Sequence, residues 1–322
     1  KRTTANRLAA GRNDVAFTVD LSGDKPSVTA DVKSLDLETL VDALLAPSDS
    51  ELVESAQTAA AAPPSEPPNV AMRIKAQKVL MRGGAEATDL VFDIDLDHGD
   101  LVGLLLQGRL GAGAMMAKLW PQADGRRRVI LESDEMGLFV RGLSGYAGIA
   151  GGYGKFAVLL PRPGSDAPAA GTASMRNFRL MDQSFLVRLL GAGSFAGIGD
   201  LIDGNGLLFD NLTADLSLTE RRIGVTRLRV TGPSAGITAE AFIDRDADTV
   251  HAAGVFTPVY SLNTLLRCIP LLGDALGGDE GLLAVAFAVE GDIENPGISI
   301  DPLSALAPGI LRRLFEYDLP GG

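Results

Sequence analysis

Apolar residues recur at every second position in many short stretches of this chain, and this spacing constrains its fold more than any other feature. The pattern is clearest at residues 15–21, 90–96 and 212–218. Successive side chains of a β-strand point to opposite sides, so this period predicts strands with one buried and one solvated face. Shorter stretches of the same kind occur at 28–32, 70–76, 129–131, 223–230, 237–243, 250–256, 283–289 and 298–300.

Turn signals separate these predicted strands. Ser22-Gly23-Asp24, His98-Gly99-Asp100 and Ala123-Asp124-Gly125 combine glycine with residues that favour tight turns. Short strands joined by tight turns pair antiparallel most simply. The sequence therefore predicts a mainly β fold, in which many antiparallel strands follow one another as a meander.

Apolar residues at helical spacing predict a few short amphipathic helices between the strands. Ser261 and Ser304 are candidate N-caps for two of them. The predicted helical segments are 37–45, 184–190, 261–272 and a C-terminal capping helix that ends at Phe315.

Two stretches rich in alanine and proline divide the chain. Residues 47–68 contain AAAAPPSEPP, and residues 161–170 read PRPGSDAPAA. Such sequences cannot build a core and are typical of linkers. We therefore predict three structured parts, at 1–46, 69–160 and 171–322.

Composition limits the classes of function. Apolar residues make up 46% of the chain but aromatic residues only 5%, and there are 38 glycines, which favours thin sheets over one thick aromatic core. The formal net charge of −12 leaves no basic footprint for nucleic acid. The single cysteine, Cys268, lies in an apolar run and is interpreted as a buried, inert thiol.

The residue types that carry catalysis or metal binding are not clustered in the sequence. His98 and His251 lack neighbouring ligands at a metal-binding spacing. Asp93, Asp95 and Asp97 lie on the polar side of one alternating stretch, which indicates a solvated face rather than a calcium loop. The glycine-rich stretches lack the Lys-Ser/Thr of a phosphate loop and are interpreted as turns and bulges. We predict no catalytic, cofactor-binding or metal-binding residue, and a protein that is not an enzyme.

A sheet with an apolar face must cover that face. Two arrangements satisfy this requirement: a sheet folded on itself as a sandwich or barrel, or a curled trough that holds an apolar ligand. Transfer of a lipid tail from water contributes about 0.8 kcal/mol per methylene, so a tail of roughly 16 carbons would gain on the order of 12 kcal/mol. The alternation alone does not choose between the two arrangements.

A series of short motifs occurs in the C-terminal half of the chain. These are NFRL at 177–180, GNGLLFDNL at 204–212, GPSAGI at 232–237, VFTPVYSLN at 255–263, IPLLG at 269–273, DPLSALAPG at 301–309 and RRLF at 312–315. In their order and spacing over residues 171–322, this part of the chain resembles the AsmA-like family of bacterial cell-envelope proteins, and the segment 131–139 is the clearest match in the middle part.

This resemblance implies a fold and a role. It implies an elongated, curved antiparallel β-sheet that forms a groove, with residues 1–46 and 69–160 as its N-terminal and middle portions and 171–322 as the C-terminal AsmA-like region. It implies phospholipid as the bound partner, carried towards the outer membrane of a Gram-negative bacterium. The full-length protein would lie in the periplasm and be anchored in the inner membrane by an N-terminal helix. The chain begins at Lys1 without an initiator methionine, which fits a fragment that lacks this anchor.

Two sets of residues are predicted to matter for that role. The alternation and the resemblance together nominate apolar residues for the lipid groove and a C-terminal cap that closes its end. The groove candidates are Leu90, Phe92, Ile94, Leu216, Leu218, Val285 and Phe287. The cap candidates are Pro302, Leu303, Leu306, Pro308, Gly309, Leu314 and Phe315. The alternative hypothesis is an assembly module that binds other envelope proteins and carries no lipid.

Overall fold

A computed structural model of the chain describes residues 3–10, 12–21, 26–37, 69–182, 185, 206–233, 235–258, 285–293 and 296–301. The predicted mainly β fold is confirmed: the described residues form one sheet of sixteen strands, numbered β1 to β16, whose order in the sheet is their order in the chain.

The strands fall into two runs along the chain. The first run is β1 (Thr3–Ala10), β2 (Asn13–Asp20), β3 (Ser27–Asp36), β4 (Val70–Leu80), β5 (Glu86–Asp97), β6 (Asp100–Leu110), β7 (Gly113–Pro121), β8 (Arg127–Ser133) and β9 (Ile149–Leu160). The second run is β10 (Ala169–Leu180), β11 (Leu207–Leu218), β12 (Arg222–Thr231), β13 (Ala235–Asp244), β14 (Thr249–Pro258), β15 (Val285–Asp292) and β16 (Gly297–Asp301).

The sheet is mixed rather than wholly antiparallel, and in this respect the prediction was wrong. Strands β3 and β4 pair parallel, with Ala30 opposite Ile74. Residues 38–68 separate these two strands. A parallel pair needs a crossover connection of about a dozen residues or more, and this segment is long enough to provide one.

One α-helix occurs in the described part of the chain, and the sequence did not predict it. Helix α1 spans Met136–Ser144, between β8 and β9. A 3-10 turn at Arg82–Gly84 joins β4 to β5. The helices predicted at 261–272 and at the C terminus, and nearly all of those at 37–45 and 184–190, lie outside the described residues.

The chain forms two compact units, residues 1–172 and 173–322. The predicted linker at 47–68 lies outside the described residues. The second predicted linker, 161–170, coincides with the loop after β9, except that Ala169 and Ala170 already belong to β10.

The first unit has its core at one end of an apolar sheet face, beneath α1. This buried band consists of Val32, Ala76, Val79, Ala87, Leu90, Leu110 and Met115, with Leu138 and Phe139 of α1 packed against it. Two glycines let the helix approach the sheet. A Cβ on Gly137 would lie 2.7 Å from the backbone oxygen of Ile149, and one on Gly154 would lie 2.5 Å from Met136 Cγ. Both distances are too short for any larger residue.

The second unit has a buried band of its own. Val230, Ile237, Phe256 and Val285 pair in register across β12 to β15, and all four are buried. Phe287 lies opposite Gly254, where a Cβ would come within 2.5 Å of the Phe287 ring. Phe185 packs edge-on against Phe287 with ring centroids 5.4 Å apart.

Candidate functional site: a half-buried apolar band

In the first unit, two further rows of apolar side chains lie beside the buried band on the same sheet face. We call these rows, which run from strand to strand across β2–β9, the half-buried band of the first unit. One row is Phe17, Ala30, Ile74, Phe92, Leu106, Ala117, Leu131 and Phe156. The other is Val19, Val28, Met72, Ile94, Leu104, Leu119, Val129 and Val158.

Most side chains of these rows are partly accessible to solvent. Ala30, Ala117 and Leu119 are buried, and the other members are half-buried. Helix α1 packs on the buried band through Leu138 and Phe139, and Phe139 also lies beside Phe156 of the half-buried band, with ring centroids 6.4 Å apart. The half-buried band therefore presents large aliphatic and aromatic side chains that are only partly shielded from water.

The second unit repeats this arrangement. Its half-buried band consists of two rows that pair in register, one across β11–β16 and one across β11–β14. One row is Leu216, Val225, Ala241, Ala252, Val289 and Ile298, and the other is Leu218, Ile223, Ile243 and Val250. All ten are half-buried. In each unit, one apolar face thus has a buried end and a half-buried end.

The predicted groove residues divide between these two environments. Phe92 and Ile94 lie in the half-buried band of the first unit, and Leu216 and Leu218 in that of the second. Leu90 is 3% exposed, and Val285 and Phe287 are 2% and 7% exposed. These last three residues lie in the buried bands and pack against protein. The cap candidates, Pro302 to Phe315, lie outside the described residues, as does Cys268.

The opposite face of the first unit is polar and carries cross-strand ion pairs. Arg73 Nε lies 2.6 Å from Asp93 Oδ1, and Lys155 Nζ lies 2.8 Å from Glu132 Oε1. The hydrogen bond from Arg73 lowers the pKa of Asp93 below its ordinary value. The hydrogen bond to Glu132 raises the pKa of Lys155. This face is charged, and Asp93 is paired with a cationic neighbour on the adjacent strand.

Histidines and acidic residues form no metal site in the part of the chain that the structure describes. His98 lies in the β5–β6 turn, with Nδ1 2.9 Å from Asp97 Oδ1. His251 stacks on Phe242 with ring centroids 4.8 Å apart, and Arg222 lies over the same Phe242 ring at 4.8 Å. The surroundings of both histidines are explained by these local contacts.

We call the edge of the half-buried band that lies farthest from the buried band the rim. In the first unit the β7–β8 turn forms part of this rim. Arg126 donates from its backbone nitrogen to Asp124 Oδ1 at 3.0 Å and from Nε to Oδ2 at 2.7 Å. Those hydrogen bonds, the side-chain one first, lower the pKa of Asp124. Arg162 Nε donates to the backbone oxygen of Asp124 at 2.8 Å. The turn is therefore held in a defined conformation.

Arg127 is a residue of this rim that the sequence reasoning missed. It lies opposite Pro121 on β7 and Leu160 on β9, and strand alternation places it on the same face as Val129 and Leu131. The signal was present in the sequence, because Arg127 continues the alternation of 129–131 by one step. It is hidden inside a run of three arginines, 126–128, which suggests an ordinary solvated turn.

Comparison of the chain with protein-family models, with characterised proteins and with solved structures gives no match. Among the helical residues that the structure describes, none belongs to a helix of the length and hydrophobicity that a membrane crossing requires.

Proposed function

We propose that this chain shields the acyl chains of phospholipids on the half-buried bands of its two units, as a non-enzymatic lipid-transport protein of the cell envelope. The observation that supports this role is the continuity of those bands. From β2 to β9, every strand places apolar residues in the same two rows. A lipid tail laid along a row would exchange water for hydrocarbon at each strand, about 0.8 kcal/mol for every methylene buried.

The setting follows from the resemblance of residues 171–322 to the AsmA-like family. The sheet would curve into a groove, and the chain would lie in the periplasm of a Gram-negative bacterium as part of a protein anchored in the inner membrane. Phospholipid would pass along the groove towards the outer membrane, which serves envelope maintenance. In that setting the polar face, with Arg73 and Asp93, faces the aqueous periplasm.

Native mass spectrometry of gently purified protein provides the first test. We expect phospholipid to co-purify, because the half-buried rows favour retention of a bound tail. Protein that remains lipid-free after purification, and also after incubation with phospholipid vesicles, would contradict the proposal.

Adjacent leucines of β6 provide a matched pair of variants. Leu104 lies in the half-buried band, whereas Leu105 lies on the polar face between Asp93 and Lys118. Both are half-buried. We expect Leu104→Asp to reduce phospholipid binding more than tenfold, because a carboxylate in the row cannot be desolvated by a lipid tail. Leu105→Asp should leave binding unchanged, since that residue lies away from the proposed lipid path.

A second candidate, a module that assembles envelope proteins and carries no lipid, is favoured by one observation. Strands β1 and β16 are the edge strands of the described sheet, and edge strands can pair with a strand from another chain. The same two variants separate the candidates. An assembly module would bind no phospholipid. Both variants of it would keep their partner binding as long as they fold.

A further inference from the structure

The apolar face of the first unit carries one charged side chain among the described residues of β4–β9. That side chain is Arg127, at the rim end of the face beside Leu160 and close to Leu101. Strand alternation places Arg128, the next residue of β8, away from the apolar rows, and Arg126 lies in the β7–β8 turn, paired with Asp124. A cation on the apolar face, beside its rows, is a costly placement unless it has a partner or covers apolar surface with its stem.

The hydrogen bonds of the Arg127 guanidinium are incomplete. Nη1 donates to the backbone oxygen of Leu101 at 3.1 Å. Nε is buried and has no hydrogen-bond partner. Arg127 also forms no ion pair with a carboxylate in the described chain, whereas Asp124 beside it is paired with Arg126 at 2.7 Å. The guanidinium therefore retains capacity for an acceptor that the protein itself does not supply.

We propose that Arg127 binds the phosphate of a two-chain lipid whose tails lie along the half-buried band. This inference rests on the proposed function and adds to it the residue that selects the head group. A guanidinium matches phosphate oxygens with two parallel N–H donors, and such charge-assisted bonds are stronger than neutral ones. Its place in the rim row, beside the two rows of the band, would hold the head group at the rim while the tails extend across the strands.

The width of the band fits more than one hydrocarbon chain. Rows two residues apart along a strand are about 6.7 Å apart. Two rows of the band and the rim row of Leu96, Leu101 and Leu160 therefore span about 13 Å. A single-chain fatty acid would leave part of that width in contact with water.

The rim as a whole is not a basic patch. Residues 121–128 and Arg162 contribute four arginines against Asp124, but the neighbouring β5–β6 turn contributes Asp97 and Asp100. General attraction of anions is therefore weak here. Recognition of the phosphate would depend on Arg127 itself, because it is the one of these charges on the apolar face.

The test compares two lipids that differ only in the phosphate. Delipidated full-length chain is titrated with dioleoyl phosphatidic acid and with dioleoylglycerol, each carrying the same fluorescent acyl label. We expect wild type to bind phosphatidic acid at least tenfold more tightly. Arg127→Met should weaken phosphatidic acid binding about tenfold, the usual size of a lost charged hydrogen bond. Binding of dioleoylglycerol should not change, since methionine keeps the apolar stem.

Controls separate this role from a structural one. Arg128→Met lies on the opposite face of the same strand and should leave both affinities unchanged. Arg127→Lys should recover only part of the preference for phosphatidic acid, because it restores the charge without the planar pair of donors. If Arg127→Met does not fold, as judged by its thermal transition, Arg127→Gln is measured in its place.

Several results would overturn the inference. If the ratio of the two affinities is the same in Arg127→Met and in wild type, the arginine only covers the apolar surface at the rim. Oleate bound as tightly as phosphatidic acid, or millimolar inorganic phosphate that displaces the labelled lipid, would reject a two-chain phosphate lipid as the ligand. If wild type binds dioleoylglycerol but shows no preference for phosphatidic acid, only the inference fails. If it binds neither lipid, the proposed function fails as well.

Discussion

The buried band and the half-buried band of the first unit are built from the same strands and the same kinds of residue. Leu90 and Phe92 are alternate residues of β5, and both were predicted to line one apolar face. Leu90 is 3% exposed within the buried band, whereas Phe92 is half-buried. The buried band is the end of the face against which Leu138 and Phe139 of α1 pack. Strand alternation therefore determines the face of a side chain, and the packing at each end of that face determines whether the side chain serves stability or remains available to a ligand.

The second unit shows the same difference on β15. Val285 is 2% exposed, while Val289, four residues further along the strand and on the same face, is half-buried. Phe185 contacts Phe287 between them. Since the two units reach the same division with different covering residues, we interpret the half-buried ends as a shared feature of the fold.

Two leucines of β6 give the largest expected effect. Leu110 is 0% exposed in the buried band, and Leu104 lies in the half-buried band on the same face. We expect Leu110→Ala to lower the free energy of unfolding by about 3 kcal/mol, from lost burial and a cavity. Leu104→Ala should lower it by about 1 kcal/mol or less, because it is only partly removed from water. Urea unfolding midpoints measure both, and equal losses would contradict the division into two bands.

The helix that covers the buried band can be tested at Gly137. A Cβ there would meet the backbone of Ile149 and Ala150 at 2.7 and 2.9 Å. We expect Gly137→Ala to destabilise the protein by about 2 kcal/mol, since backbone atoms cannot yield easily. Leu143→Ala, on an exposed side of the same helix, should change the free energy by about 0.5 kcal/mol or less. Thermal unfolding measures both variants, and a neutral Gly137→Ala would mean that α1 does not pack closely on β9.

Many strands of this fold were predictable from the sequence, but strand β9 and helix α1 were not. The alternation at 90–96 and 212–218 gave β5 and β11 because period two survives along the whole strand. Strand β9 was missed because Gly151 and Gly152, both at positive φ, interrupt its pattern. Helix α1 was missed because its glycines, Gly137 and Gly142, weaken the helical signal although close packing requires them.

The candidate site was predictable in part, because period two identifies the residues that share one face of a strand. The sequence nominated Phe92, Ile94, Leu216 and Leu218, which lie in the half-buried bands. It could not separate them from Leu90, because residues on one strand face look alike until the packing at each end of that face is known. The parallel pairing of β3 with β4 was also beyond the local pattern, since it joins two strands that are far apart in the sequence.

A pair of valines on β15 extends the comparison to the second unit. Val285→Ala should lower the free energy of unfolding by about 2 kcal/mol, the loss of two methyl groups plus a small cavity. Val289→Ala, on the same face, should cost less than about 1 kcal/mol. Chemical denaturation of both variants gives the difference. If Val289→Ala proves the more damaging, the second unit does not share the organisation of the first.

The polar face gives the smallest expected effect. Because Arg73 lowers the folded-state pKa of Asp93, this carboxylate stabilises the fold above its unfolded-state pKa, and that contribution is lost as the pH falls through the lowered value. We expect Arg73→Gln to return the pKa of Asp93 towards its ordinary value, with little change in stability near pH 7 because the pair is exposed. Carbon-detected NMR titration of the Asp93 carboxyl measures this, and an unchanged pKa would mean that the ion pair does not form in solution.

The most direct measurement of lipid shielding places a photoreactive benzoylphenylalanine at Leu104 or at Leu105 and irradiates the protein with phospholipid bound. The two positions are adjacent on β6, and their side chains lie on opposite faces of the sheet. We predict crosslinks to phospholipid acyl chains from position 104 and none above background from position 105. Equal crosslinking from both positions, or none from position 104 in protein that has been incubated with phospholipid, would contradict the proposal that the half-buried band holds lipid tails.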